Sequence, residues 1–111
     1  MPHIDVIIEA SPWEDAGLEN LAQRSFSAAF DALKLSDKYE VSLLGCDDAR
    51  IATLNADFRG KPSPTNVLSW PAVDLSAESP GETPFPPDPD DPELGDIAIA
   101  YETCAREVVE Q

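Results

Sequence analysis

Residues 72–93 set the firmest limit on how this chain can fold. They hold six of its eleven prolines and seven acidic side chains, Asp74, Glu78, Glu82, Asp88, Asp90, Asp91 and Glu93, with no basic residue. Proline removes a backbone donor and fixes φ, and crowded like charges repel, so "SPGETPFPPDPDDPE" is unsuited to helix interiors and sheet ladders. A solvated loop or mobile arm is expected there, and regular structure must come from the segments on either side. The segment supplies −7 of a formal net charge of −15, leaving −8 for the rest of the chain.

Before that segment, periodicity changes twice from strand to helix. In "HIDVIIEA", Ile4, Val6 and Ile8 alternate onto one side, predicting a first strand. "SPWE" has the form of a helix start, with Ser11 as cap, Pro12 at the first helical position and Glu14 completing a capping box. Leu18, Leu21, Ala22, Ser25, Phe26, Ala29, Phe30 and Leu33 continue a helical stripe, so one helix is predicted over 12–34. "YEVSLLG" predicts a second strand, with Val41 and Leu43 on one face. Asp47 or Asp48 can cap a second helix whose inner residues are Ile51, Leu54 and Phe58 and which Gly60 ends. "TNVLSWP" is a third strand, closed by Pro71.

Beyond the acidic segment, "LGDIAIAYE" returns to strand with Ile97 and Ile99 on one face. Tyr101, Cys104, Ala105 and Val108 then fall at i, i+3, i+4 and i+7, one apolar face of a final helix with no stop signal before Gln111. The predicted order is β-α-β-α-β-loop-β-α. It implies an α+β fold in a single domain over 1–111, with a mixed four-stranded sheet and helices packed on it. A chain of 111 residues is long enough to bury one core unaided.

The longest apolar runs are too short to cross a membrane, and "MPHIDVIIEASPWED" lacks a basic region followed by an apolar one. A cytoplasmic protein without membrane contact is therefore expected. Cys46 and Cys104 fit that compartment as reduced, half-buried thiols without metal-ligand spacing. His3 is the sole histidine and is expected at an exposed strand edge; alone it cannot build a zinc site. Ser69 lacks both a nucleophile elbow and a histidine base. The acidic balance, taken alone, argues against a nucleic-acid binder. Against that stand Arg59 and Lys61, which flank the glycine ending the second helix. They can complement the negative helix end, or the Arg59 guanidinium can grip a phosphate.

"LNADFRGKPSPTNVLSWP" followed by "LGDIAIAYETCAREVVEQ" closely resembles the YbeY family of bacterial endoribonucleases, which process ribosomal RNA. The family pattern runs Leu-Asn, two variable residues, an aromatic, Arg-Gly, a spacer, then Thr-Asp/Asn-Val-Leu-Ser-Phe-Pro. It is met by Leu54, Asn55, Phe58, Arg59 and Gly60, then by Thr65, Asn66, Val67, Leu68 and Ser69, with Trp70 before Pro71. Leu94, Gly95, Asp96 and Ile97 match the start of the family's next strand. The resemblance implies a zincin-like, metal-dependent hydrolase scaffold and a zinc-dependent, single-strand-specific endoribonuclease of ribosomal RNA maturation and quality control. It implies that Arg59 holds the substrate phosphate, with Lys61 adding positive field, and that RNA or the ribosome is the partner. Arg50, Arg59, Lys61 and Arg106 could line a positive cleft.

Family members continue with a helix bearing His-Gly-x-x-His-Leu-x-Gly-Tyr-Asp-His, whose histidines hold the metal. Those histidines do not occur here, and the resemblance puts them beyond Gln111. The expectation is a chain cut within the helix leading to the metal site, inactive by itself. The alternatives are a zinc hydrolase acting on peptides, or a non-catalytic module that docks a protein through the acidic arm or the final helix.

Overall fold

The computed structural model describes residues 3–71, 79–82, 87, 90 and 92–110. The alternation in the first segment produces β1 (His3–Ile8), in which Ile4, Val6 and Ile8 turn inward and His3, Asp5 and Ile7 outward. Then follow α1 (Pro12–Asp15), α2 (Leu18–Leu33), β2 (Glu40–Cys46), α3 (Asp48–Arg59), β3 (Val67–Pro71), β4 (Glu93–Ala100) and α4 (Tyr101–Glu110). The four strands form one sheet in the order β1-β2-β4-β3. β1, β2 and β4 run parallel, and β3 pairs antiparallel with β4, so the sheet is mixed and the fold α+β, as the pattern predicts.

Register places the apolar sets on opposite faces. Ile4 lies beside Val41, and Leu43 beside Val6 and Ile97. These residues pack under α2, where Leu18, Ala22 and Phe30 are buried with Tyr39. On the other face, Leu68, Ala98, Ala100 and Cys46 close around Ile51 of α3. Ala98 and Ala100 have no exposed surface, and side chains this small let α3 approach the sheet closely. Full burial of one isoleucine such as Ile51 contributes about 2–3 kcal/mol.

The helix predicted over 12–34 is two helices. Gly17 takes a left-handed conformation (φ 74°) and separates one turn of α1 from α2. The break frees Trp13 to turn inward, where its Nε1 donates to the Cys46 carbonyl at 2.9 Å and its ring meets Tyr101 edge-on at 5.2 Å. The Ser11–Glu14 capping box does not form, because Ser11 itself has helical angles and its side chain makes no cap bond. At α3 the choice between two aspartates is resolved: Asp47 is the cap, accepting from the Arg50 N–H at 2.8 Å. Phe58, expected inside, is 63% exposed. The loop expected over 72–93 lies for the most part outside the described residues. The final helix is described to Glu110, and Gln111 lies outside the described residues.

Candidate functional site: the exit of α3

α3 stops because Gly60 adopts φ 70°, a conformation that costs glycine little. The Gly60 N–H donates to the Ala56 carbonyl at 3.1 Å and the Lys61 N–H to the Asn55 carbonyl at 3.3 Å, closing the helix end. The chain then turns through Pro62, Ser63 and Pro64 toward β3. Asn55, 4% exposed, reaches across with Nδ2 and donates to the Ser63 carbonyl at 2.9 Å. Its Oδ1 is buried and unpaired. Sequence reasoning quoted Asn55 only as part of a motif. The available signal was its place four residues after Ile51 on the inner stripe, where a buried amide needs a partner.

Arg59 and Lys61 project from either side of Gly60, both exposed, and neither forms an ion pair among the described residues. The other two cations expected in a common cleft are elsewhere. Arg50 lies in the first turn of α3, nine residues or about 13 Å from Arg59 along the helix, and pairs with Glu9 at 3.3 Å. Arg106 points to Asp48 at 4.0 Å, also at that far end. Of these four cations, only Arg59 and Lys61 stand together without an ion pair among the described residues.

Beside the turn, Phe58 meets Trp70 of β3 edge-on, with ring centres 5.1 Å apart. The pair borders a cavity of about 360 Å³ on the α3 side of the sheet, which Ile7, Leu44, Leu54 and Asp96 also line. Asn66 ties β3 to its neighbours: its carbonyl accepts from the Ala100 N–H at 3.0 Å and its Nδ2 donates to Glu107 at 2.9 Å.

The described residues do not fit a zinc site. No three His, Cys, Asp or Glu side chains among them converge on one point. The ligand histidines expected beyond Gln111 fall outside the described residues, as Gln111 itself does. His3 is exposed on β1, an edge strand. The buried Cys46 thiol donates to the Ile99 carbonyl at 3.4 Å, and burial, reinforced by Glu9 and Asp47, raises its pKa from 9.0 to about 11. Burial and then Glu107 also push the Cys104 thiol upward. Neither thiol has two further ligand side chains around it among the described residues.

The mixed sheet with helices on both faces fits a zincin-like hydrolase scaffold. The chain belongs to the YbeY family, whose sequence profile, described as "Endoribonuclease YbeY", matches residues 4–111. It is 55% identical over 108 residues to the endoribonuclease YbeY of Paracoccus denitrificans, covering 97% of this chain and 60% of that protein. It is 54% identical over 111 residues to that of Dinoroseobacter shibae, covering 96% and 61%. A third, from a Ruegeria species, is 56% identical over 108 residues, covering 94% and 64%. The chain therefore spans about six-tenths of the length of these curated relatives.

Proposed function

We propose that this chain provides the sheet and part of the substrate wall of a metal-dependent, single-strand-specific endoribonuclease. On this reading residues 1–111 belong to one domain, the metal ligands follow Gln111, and the protein is cytoplasmic. Its task is ribosomal RNA maturation and ribosome quality control. Arg59 holds a substrate phosphate and Lys61 adds positive field. One observation carries this reading: an exposed guanidinium without an acidic partner among the described residues, in a chain of net charge −15. Arg24 on α2 is also exposed without an ion pair among the described residues, but only Arg59 has a second cation, Lys61, beside it at one turn, which suits an anionic ligand.

The local charge balance supports the same reading. A helix C-terminus carries roughly half a negative charge, whereas Arg59 and Lys61 together bring two positive ones. Even with Asp57 of the last helical turn counted against them, the exit turn keeps a small positive balance despite the helix dipole. A guanidinium can offer two parallel N–H groups to the non-bridging oxygens of one phosphodiester, which fixes orientation as well as charge. Zinc dependence enters through the resemblance alone, and the described residues supply no ligand set for it.

The test is titration of a labelled single-stranded RNA oligonucleotide into this chain at several salt concentrations. Arg59→Ala should weaken binding about tenfold and lower the salt slope by about one. Unchanged affinity in that variant would overturn the assignment. A second reading, a protein-docking module, is favoured by α4, where Val108 and Val109 are 72% and 84% exposed.

A further inference from the structure

We propose that Asn55 is a positioning residue that locks the exit turn of α3 and so sets where Arg59 and Lys61 stand; the RNA-binding half of this inference rests on the phosphate-holding role above. Asparagine is a poor residue for the middle of a helix, because its amide competes with the backbone for hydrogen bonds. Here it is also 4% exposed, with Oδ1 left unpaired. A leucine has the same branched outline and no acceptor to orphan. What leucine cannot supply is the bond from Nδ2 to the Ser63 carbonyl at 2.9 Å.

That bond joins two points that would otherwise be tied only through the main chain. The Lys61 N–H reaches the Asn55 carbonyl at 3.3 Å, and the Ser63 N–H reaches the Lys61 carbonyl at 2.8 Å. With the side-chain bond added, one helical residue holds both the beginning and the end of the 61–63 segment. Without it, Gly60 is the weak point, since glycine readily leaves the left-handed conformation for others. The loss would let the backbone around Arg59 and Lys61 sample many orientations, so neither charge would keep a fixed place for a phosphate.

Two measurements on Asn55→Ala test this. The first is limited trypsin digestion of the folded chain, comparing the Arg59–Gly60 bond with Arg24–Ser25 inside α2, which reports general unfolding. Release of the turn should raise cleavage at Arg59–Gly60 about tenfold relative to Arg24–Ser25. The second is RNA affinity in a cycle with Arg59→Ala: Asn55→Ala should weaken binding severalfold, and the double variant should lose clearly less than the product of the two single losses. Equal acceleration at both bonds would mean a role in global stability only and would overturn the proposal. So would multiplied losses in the double variant, or loss in Arg59→Ala with none in Asn55→Ala. If Arg59→Ala alone leaves affinity unchanged, the phosphate-holding role falls and the positioning role falls with it, while the protease ratio still decides whether Asn55 locks the turn. Should Asn55→Ala fail to fold, Asn55→Ser carries the same two measurements with the same outcomes.

Discussion

A β-carbon on Gly45 would stand 2.6 Å from Leu18 Cδ2 and 2.9 Å from Trp13 Cδ1. Those two side chains lie directly on the strand and are held by the core, so neither can withdraw without opening a gap. Gly45→Ala should therefore cost about 1–3 kcal/mol, read from the midpoint of urea unfolding. Next along the strand, Cys46 makes stability depend on alkaline pH. Its folded pKa of about 11 lies above the ordinary 9.0, so the unfolded chain loses the proton first. The contribution is complete below pH 9 and is lost as pH rises toward 11, by an amount of the order of 2 kcal/mol. Cys46→Ala should be less stable at neutral pH yet show a shallower decline over that window, measurable by unfolding at both ends. Neither effect is legible in the sequence, because each depends on what lies above a strand. Gly60 is different: a glycine after an apolar helical stripe and a basic residue announces a helix end by itself.

The helices α3 and α4 cap one another. The Asp48 carboxylate, in the first turn of α3, accepts from the Thr103 N–H at 3.0 Å and from its hydroxyl at 2.8 Å. In return Glu102, in the first turn of α4, accepts from the Asp48 N–H at 2.8 Å. Each acid sits where a helix N-terminus has orphaned donors and a favourable dipole. Asp48→Ala should cost about 1–2 kcal/mol, and a cycle with Thr103→Val should show coupling of at least about 0.5 kcal/mol. An additive cycle would mean that the two caps act independently. Sequence pattern found the four described strands at nearly their observed ends, since alternation is a local signal. It missed the reciprocal caps, which join residues far apart in the chain, and it ran α1 and α2 together. The apolar stripe begins only at Leu18, and the capping signal at Ser11 to Glu14 was joined to it across Gly17, whose left-handed conformation separates the two helices.

Across the whole molecule, apolar surface remains open on both sides. Ile7 and Phe58 are 54% and 63% exposed beside the cavity on the α3 face, and Val108 extends an apolar groove formed by Trp13, Tyr101 and Ala105. The chain should bind a dye for exposed apolar surface and show concentration-dependent mass in sedimentation. A strictly monomeric species that leaves the dye dark would contradict that expectation. Among the described residues no helix is long and apolar enough to cross a membrane. At this scale the order of elements implied the mixed α+β sheet, but periodicity gives strands without saying which of them run parallel. The four-cation cleft failed for a related reason. Spacing along a helix does not say which end acidic neighbours will neutralise, and Glu9 and Asp48 neutralise the end that carries Arg50.

The strand order carries a consequence for synthesis. Among the described strands, β4 is made last, lies between β2 and β3 and is the only partner of β3. While the polypeptide is emerging, β2 can pair with β1, but its other edge and the whole of β3 wait for residues 93–100. Open edges and the apolar side chains above them attract other chains. The half-made protein is thus at its stickiest just before its fourth strand appears, and that interval is when a nascent-chain chaperone would have most to hold.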